Sequence, residues 1–302
     1  MNNVVELAGN KAENIEIKGR SLWQDAWSRL KKNRAALVCA VILFIITMLA
    51  IFVPMEGIAP HAYDDTNNFQ HVSEPPNFEK GYYFGTDTVG RDLFVRVFYG
   101  ARISLMVGVL ATFVSLLIGI TYGAMSGYIG GRTDMIMMRI VDILYSLPFM
   151  FFVILLMVYV GRNIFLIFIA LGAVEWLDMA RIVRGQTLSV KRKEYIEAAE
   201  ASGVNTLKIL FRHVIPNCLG PVIVYVTLLI PKVILVESFL SFLGLGVPEP
   251  KTSWGKLISE GAKQIESFPW MLVFPAFFLA VTLFCFNFIG DGLRDALDPK
   301  DR

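Results

Sequence analysis

The acid- and base-rich segment FGTDTVGRD (84–92) is the most enzyme-like pattern in this chain. Its glycines predict turns, and its carboxylates are close enough to surround a metal ion or a reacting group. The nearest histidine, His71, is distant in sequence, which disfavours metal ligation. We interpret the segment as a structural turn, with contact to a substrate or partner protein as the alternative. We expect an aspartate–arginine contact, either Asp92–Arg91 or Asp87–Arg96, to hold this loop in place.

Cysteine and histidine are too sparse and scattered to predict a metal or redox site. Cys39, Cys218 and Cys285 are far apart and flanked by apolar residues, and the chain has only three histidines. The sequence contains no C-x-x-C pair, no evident nucleophile–base pair and no G-x-x-x-x-G-K-[ST] phosphate loop. We therefore predict that the chain is not an enzyme, that it has no catalytic residue or metal ligand, and that its thiols are buried and inert.

Several polar residues interrupt stretches that are otherwise apolar. Charges at mid-membrane are costly and are functional candidates by default. Arg139 and Asp142 stand three positions apart on one predicted helix face, which indicates an ion pair between them. A buried asparagine can bridge helices by hydrogen bonding. No substrate contact is assigned to any residue of this set, which comprises Arg139, Asp142, Glu175, Asp178, Lys232 and Asn287.

Composition indicates which elements position these residues. Of the 302 residues, 55% are hydrophobic and 18% are charged, and the mean hydropathy is +0.56. Soluble proteins contain about 25% charged residues, and a soluble core cannot absorb so much apolar surface without leaving large exposed patches. The formal net charge of +2 excludes a strongly basic nucleic-acid binder. We therefore predict an all-α polytopic membrane protein.

Crossing the hydrocarbon core takes about 20 largely apolar residues, and this criterion predicts six transmembrane helices. The fourth is short and contains Glu175 and Asp178, which predicts that it packs against protein rather than lipid. Pro231 in the fifth predicts a kink. The predicted spans are 35–53, 103–125, 137–160, 164–180, 218–236 and 271–289.

Lysine and arginine set the predicted orientation. They are concentrated in residues 1–34 and 181–217, so the positive-inside rule places both termini and the second of these segments in the cytoplasm. The predicted divisions are a flexible cytoplasmic tail at 1–20, an amphipathic elbow helix at the membrane interface at 21–34, and a transmembrane domain at 35–302. That domain includes outer loops at 54–102 and 237–270 and the cytoplasmic loop at 181–217.

The long cytoplasmic loop predicts two short helices joined at a glycine. Its parts are the helices Lys191–Ser202 and Leu207–Val214, a left-handed turn at Gly203, a cap at Asn205 or Thr206, and a stop at Pro216. The side chains expected to hold the hairpin together are Tyr195, Ala198, Ala199, Leu207, Leu210 and Phe211. Those expected to project toward solvent or a partner are Glu194, Glu197 and Glu200.

This loop resembles the EAA loop of ABC-importer permeases. The matching residues are Glu197-Ala198-Ala199, Gly203 and His213-x-x-Pro216. The general pattern has isoleucine where this chain has His213, and the His-x-x-Pro-Asn form is similar to the peptide and nickel branch of the family. Other segments similar to that branch are FGTDTVGRD (84–92), GARISL (100–105), ESFLSFLGLGV (237–247) and GDGLRDALDP (290–299). The resemblance therefore extends from about residue 21 to residue 302.

The resemblance implies a type I, MetI-like permease fold with six transmembrane helices, and a role as a permease subunit of an ATP-driven oligopeptide importer in the cytoplasmic (inner) membrane. The implied partners are a second homologous permease subunit, two ATPase subunits and an extracytoplasmic peptide-binding protein. ATP and Mg²⁺ are then bound by the ATPase subunits, and this chain binds no cofactor. A dipeptide, nickel or antibiotic-peptide permease of the same fold is an alternative, as is an ion-driven secondary transporter.

The resemblance also implies two sets of site residues. In this family the cytoplasmic hairpin docks into a groove on the ATPase subunit, and the implied coupling residues are Glu194, Glu197, Ala198, Ala199, Gly203, His213 and Pro216. Ser238–Val247 is apolar but too short to cross, which predicts a re-entrant loop or interface helix at the outer mouth. The outer-mouth or pathway candidates are Glu237, Phe239, Phe242, Gly244 and Gly246, and structural packing is the alternative for each.

Overall fold

The computed structural model describes residues 22–55, 57–59, 61–65, 71–161 and 163–297. Within these ranges the chain is helical and contains no β-strand, only the isolated antiparallel bridges Asn77–Tyr82 and Thr86–Asp92. The predicted all-α class is therefore confirmed. The helices are α1 Leu22–Leu30, α2 Arg34–Phe52, α3 Leu93–Ile129, α4 Gly131–Ser146, α5 Phe149–Val160, α6 Ile164–Lys191, α7 Glu194–Ala201, α8 Thr206–Ile209, α9 Ile215–Phe242, α10 Trp254–Ala262 and α11 Trp270–Leu297, and a π-helical turn, Leu210–Val214, joins α8 to α9.

Four helical segments of the described chain are long and apolar enough to cross a membrane: α2, α3, the continuous run 206–242 and α11. Helices α4 and α5 make a fifth if the pair, bent by 77°, is one span. The predicted span 137–160 is thus not a single straight helix. Leu147 has extended dihedrals and Pro148 precedes α5, because proline lacks the N–H that would continue the helix.

Helices α3 and α9 extend beyond the stretches that apolarity predicts. Helix α3 begins at Leu93 rather than at residue 103, because the Asp92 side chain caps it by accepting a hydrogen bond of 2.9 Å from the Phe94 N–H. Helix α9 continues to Phe242 rather than ending at 236. The prediction of a separate element over Ser238–Val247 is therefore wrong for its first half, and the chain turns only after Phe242.

The predicted elbow helix is shorter than residues 21–34. Helix α1 ends at Leu30, and α2 starts at Arg34 with Asn33 as its cap, since the Asn33 side chain accepts a hydrogen bond of 3.1 Å from the Ala36 N–H. Ala26 is buried against the bundle whereas Trp27 is 57% exposed. The apolar face of α1 is thus divided between the protein and its surroundings, as suits a helix at a membrane interface.

Helices α3 and α6 pack closely because small residues line their contact. Gly119, Gly123 and Gly127 recur every fourth residue on α3, and each faces side-chain or backbone atoms of α6. On α6, Gly172 likewise packs closely against Ala111 and Val114 of α3. Such small-residue contacts let helix backbones approach each other in membranes. This pair forms the scaffold from which the α7–α8 hairpin extends.

A Gly172→Leu variant is expected to destabilise this scaffold. A Cβ at residue 172 would lie 2.7 Å from the carbonyl oxygen of Ala111 and 2.7 Å from Val114 Cβ, so the helices must separate. Overpacking of this kind costs about 1–3 kcal/mol. The measurement is the thermal unfolding midpoint in nanodiscs. Gly185→Leu on the same helix is the matched control, because a Cβ there meets nothing within 4 Å; equal shifts in the two variants would contradict the packing account.

Candidate coupling hairpin and outer-mouth cluster

The hairpin turn between α7 and α8 forms as the sequence predicts. Gly203 has φ +73°, the Gly203 N–H donates to Glu200 O at 2.9 Å, and the Val204 N–H donates to Ala199 O at 3.1 Å. This pair of bonds is a Schellman C-cap, which satisfies carbonyls that the end of α7 leaves free. Asn205 then caps α8 by accepting a hydrogen bond of 2.9 Å from the Leu207 N–H.

The second arm of the hairpin does not stop at Pro216. The π-helical turn Leu210–Val214 leads directly into α9, with Pro216 in its first turn. A wider turn accommodates the proline ring, and the Asn217 side-chain amide donates to His213 O at 2.5 Å. His213, predicted at a helix end, therefore lies within a continuous helical run. The second arm of the hairpin therefore joins α9 without an intervening loop.

The buried side chains of the hairpin pack against the bundle. Ile196, Ile209, Leu210 and Val214 are at most 2% exposed and belong to the same buried cluster as Tyr128 and Val183. Four of the residues expected to fix the hairpin are instead exposed: Ala198, Tyr195 at 46%, Leu207 at 58% and Phe211 at 59%. The expectation was wrong for these side chains because it omitted the bundle as a packing partner.

Two hydrogen bonds tie the hairpin, and the end of α6 that leads into it, to the C-terminal end of α3. The Tyr128 hydroxyl donates to Glu200 Oε1 at 2.7 Å, and Lys191 Nζ donates to Tyr128 O at 2.6 Å. Glu200 is exposed, as expected, but its carboxylate is also tied to the bundle by Tyr128. Glu194 and Glu197 are exposed, as predicted.

A Tyr128→Phe variant is expected to loosen α7 while preserving the bundle. It removes the hydroxyl that holds Glu200, and because that carboxylate is solvent-exposed the loss is about 1 kcal/mol. Amide hydrogen exchange across α7 should accelerate about fivefold, which is the corresponding change in the opening equilibrium. Tyr159→Phe on α5, where the ring is 89% exposed, is the control. Unchanged exchange in α7 would show that the bond contributes nothing.

The hairpin presents an exposed surface of mixed acidic and apolar character. We define it as the coupling surface, formed by Glu194, Tyr195, Glu197, Ala198, Leu207 and Phe211. Large exposed apolar side chains beside carboxylates are typical of a surface that a partner protein covers. The carboxylates can accept charge-assisted hydrogen bonds from arginine or lysine of such a partner.

At the other end of the molecule, Glu237 is the centre of a buried polar cluster. Its carboxylate accepts hydrogen bonds from Ser104 Oγ at 3.2 Å and Ser241 Oγ at 2.7 Å, and it is completely buried. Ser241 Oγ lies 3.3 Å from Ser253 Oγ, and the Trp254 N–H donates to Ser104 Oγ at 3.2 Å. The cluster joins α3, α9 and α10, so Glu237 has a packing role in this structure.

The remaining outer-mouth candidates divide into two kinds. Phe239 and Phe242 are 51% and 55% exposed and face away from the bundle. Gly244 has φ +78°, which lets the chain turn after α9, and Gly246 packs tightly against Ser241. The pathway assignment stays a prediction for the two phenylalanines, while the glycines shape the turn.

The segment 84–92 is a structural turn at the start of α3. Asp87 accepts a hydrogen bond from Arg91 Nε at 2.6 Å and lies 3.4 Å from Arg96 Nε, so the expected Asp87–Arg96 contact is confirmed. The alternative Asp92–Arg91 pair is absent from the ion pairs of the described chain. Asp92 Oδ2 instead lies 3.1 Å from His61 Nδ1. The sequence did not predict this contact, because the two residues are far apart along the chain.

Burial raises the pKa of Asp92 above its ordinary value, although hydrogen bonds from His61 and the Phe94 N–H oppose the rise. In the part of the chain that the structure describes, no group of three or more histidine, cysteine, aspartate or glutamate side chains is placed to hold a metal.

The intramembrane charges pair between helices rather than within one. Asp142 of α4 binds Arg181 of α6 at 2.9 Å, so the predicted Arg139–Asp142 pair is wrong. Lys232 of α9 donates to Glu175 at 2.7 Å and Asp178 at 3.5 Å, both on α6. Sequence spacing cannot reveal these pairs, because the partners come from helices distant along the chain. Asn287 is exposed on α11, in a position from which it does not bridge the bundle.

Comparison with known proteins decides the family. Residues 119–302 match the family of binding-protein-dependent transport system inner membrane components, and residues 21–76 match the N-terminal TM domain of oligopeptide transport permease C. The first match covers more than half of the chain. The chain belongs to the binding-protein-dependent permease family.

Individual members of this permease family are similar over nearly their full length. The oligopeptide transport system permease protein OppC of Escherichia coli K12 is 60% identical over 98% of this chain and 97% of its own. OppC of Haemophilus influenzae is 57% identical over 99% of this chain and 95% of its own. The dipeptide transport system permease protein DppC of Bacillus subtilis is 46% identical over 97% of this chain and 90% of its own. The resemblance to the oligopeptide branch of the family is therefore confirmed.

A solved structure shows the same permease fold. A chain of the MetNI methionine ABC transporter, in an inward-facing conformation, matches with a TM-score of 0.54 over 68% of this chain and 96% of that chain. At 18% identity this likeness establishes the fold alone. The MetI-like permease fold that the motifs imply is thereby confirmed.

Proposed function

We propose that this chain is a transmembrane permease subunit of an ATP-driven importer that carries oligopeptides across the cytoplasmic (inner) membrane. The observation that carries the proposal is its 60% identity to an oligopeptide permease across almost the entire chain. The dipeptide permease relative is less similar, at 46%, which favours the oligopeptide class. The absence of a phosphate-loop motif from the sequence is consistent with ATP and Mg²⁺ binding on separate ATPase subunits.

In the proposed assembly the chain pairs with a second homologous permease subunit, two ATPase subunits and an extracytoplasmic peptide-binding protein. Closure of the ATPases on ATP pulls the hairpins together, and α9 carries this motion into the bundle because it is continuous with the hairpin arm. The pathway then opens outward to accept peptide, and hydrolysis resets it. Both states must lie within a few kcal/mol of each other for ligands to shift the balance.

The proposed membrane topology has six spans and both termini in the cytoplasm. Helix α6 is the additional span, since its 28 residues extend for about 42 Å at 1.5 Å per residue and its charges are paired with α4 and α9. The bent pair α4–α5 completes the set. This topology places the hairpin on the cytoplasmic side, where ATPase subunits are found.

Reconstitution tests the proposal. The tagged chain, expressed with its neighbouring subunits, should purify with a second permease and with ATPases, and proteoliposomes should take up a labelled tripeptide only with ATP and the binding protein. Dipeptides and Ni²⁺ should compete weakly. Peptide uptake driven by an imposed ion gradient without ATP would show that the protein is a secondary transporter. Uptake of Ni²⁺ but not of peptide would show that it is a nickel permease of the same fold.

A further inference from the structure

Three charged side chains of α6 and α9 form a cluster within the membrane-spanning bundle. Lys232 Nζ lies 2.7 Å from Glu175 Oε2 and 3.5 Å from Asp178 Oδ2. Ionised groups at this depth are expensive unless they pair or face a water-filled cavity. The Lys232 side chain is 50% exposed and that of Asp178 is 30% exposed, so pairing alone does not enclose the cluster. This face of the bundle is therefore unsuited to lipid.

The cluster opens into a cavity of about 450 Å³. Its apolar wall comes from the break between α4 and α5 and from neighbouring turns of α6 and α9: Leu144, Tyr145, Leu147, Met150, Val174, Leu177 and Val236. Irregular backbone at membrane depth, such as this break, is tolerated where it lines a cavity. Cavities with apolar walls and a few convergent polar groups are typical of ligand sites.

The two carboxylates of the cluster are not equivalent. Glu175 makes the shorter contact with Lys232 and its side chain is only 6% exposed, so its charge is compensated inside the bundle. Both carboxylates line the cavity, but Asp178 makes the longer contact with Lys232 and its side chain is more exposed, at 30%. Two carboxylates against one ammonium leave the cluster with an excess negative charge. An incoming ammonium group can therefore bind Asp178 without displacing the Lys232–Glu175 pair.

Lys232, which lines the cavity, lies on the same exposed side of α9 as two of the outer-mouth candidates, Phe239 and Phe242. Lys232, Leu235, Phe239 and Phe242 recur at intervals of three or four residues, and all are exposed on one side of α9. We define this stripe as the pathway face. A peptide that enters past the two phenylalanines and follows this face reaches the charged cluster.

We propose that Asp178, held beside the Lys232–Glu175 pair, is a subsite for the N-terminal ammonium group of the translocating peptide. The inference rests on the proposed function as a peptide permease. It assigns the subsite to a group that every unmodified peptide carries, so recognition there is compatible with many side-chain sequences. The apolar wall of the cavity accommodates the first side chain.

Photocrosslinking in the whole reconstituted importer tests the subsite. Two tripeptides with free termini carry photoleucine at the first or the third residue, and the complex is held with ATP and vanadate before irradiation. The first-residue probe should crosslink to the cavity wall, for example at Val174, Leu177 or Val236, and the third-residue probe should not. Equal labelling of the wall by both probes, or labelling of the wall by neither, would overturn the proposal.

Variants of the same importer supply the second readout. Asp178→Asn preserves size and removes the charge, and the initial rate of tripeptide uptake should fall about tenfold, whereas Asp178→Glu should retain most of it. Asp142→Asn is the matched control, since it also removes one carboxylate from an interhelical ion pair, and it should stay within about twofold. Equal rates in Asp178→Asn and the control would contradict the subsite.

The experiment separates this inference from the proposed function. If the wild-type importer takes up no peptide, the proposed function fails. If it takes up peptide but the first-residue probe does not label the cavity, only the subsite is wrong. Should Asp178→Asn fail to assemble, as judged by size-exclusion chromatography, the wild-type crosslinks and the Asp178→Glu uptake decide the question.

Discussion

A Glu197→Lys variant is expected to hydrolyse ATP while importing almost no peptide. Glu197 is exposed on the coupling surface, and nothing in the described bundle depends on its carboxylate for packing. Truncation of one member of a charge pair at an interface costs about 2–5 kcal/mol, and reversal adds repulsion, so uptake per ATP hydrolysed should fall about 100-fold or more. The measurement is tripeptide uptake against phosphate release in the same proteoliposomes.

The control for this variant is Glu249→Lys, which reverses an exposed carboxylate in the turn after α9, on the side away from the hairpin. It should assemble and couple within about twofold of wild type, because exposed ion pairs contribute little. Normal uptake by a correctly assembled Glu197→Lys importer would remove the hairpin from the coupling mechanism.

The turn itself offers an independent test at Gly203. A Cβ at this position meets nothing within 4 Å, so a substitution acts only through the backbone at φ +73°. The left-handed conformation costs a non-glycine residue about 1–2 kcal/mol, and more for valine, so Gly203→Val should displace the coupling surface and uncouple transport. Gly220→Ala on α9 is the control, since it also has open space but helical backbone.

The second large effect is expected from Glu237→Ala. The substitution leaves the Ser104 and Ser241 hydroxyls without their acceptor in a site with no solvent access, and it opens a cavity among α3, α9 and α10. Each buried group left unpaired costs about 1–3 kcal/mol, so a total loss of about 3–5 kcal/mol should greatly reduce assembled complex. The measurement is the thermal midpoint and the yield of assembled importer.

Two further variants separate packing from pathway at the outer mouth. Glu237→Gln keeps the size and an acceptor oxygen, and it should restore most of the assembly that Glu237→Ala loses. Phe239→Ala removes an exposed ring and should leave the thermal midpoint within about 2 °C while reducing uptake. If Glu237→Ala assembled normally and lost only uptake, the buried cluster would belong to the pathway rather than to the packing.

The hairpin shows what local sequence can predict. The glycine turn, the asparagine cap and the exposed positions of Glu194 and Glu197 all arise from interactions within a few residues, and the structure has each of them. The predicted helix end at Pro216 was wrong, because the π-helical turn Leu210–Val214 leads directly into α9 and the helix continues past the proline. The predicted packing of Tyr195 was wrong, because its side chain is exposed and the hairpin meets the bundle through Ile196 and Leu210 instead.

Helix ends and ion pairs show what local sequence misses. Apolarity marks the depth of hydrocarbon that a helix crosses, but α3 and α9 continue beyond their apolar stretches because Asp92 caps one and the buried Glu237 cluster supports the other. The Lys232–Glu175 and Arg181–Asp142 pairs join helices that are distant along the chain. Their assignment requires knowledge of which helices are neighbours.

The central claim is that the α7–α8 hairpin lies on the cytoplasmic side and is covered by an ATPase subunit. A single cysteine placed at exposed Ser202, in a chain whose buried Cys39, Cys218 and Cys285 are replaced, tests it directly. A membrane-impermeant maleimide should label Ser202→Cys in inside-out vesicles only after the ATPases are stripped, and never in right-side-out cells. Labelling from the outer face, or equal labelling with the ATPases bound, would contradict the account.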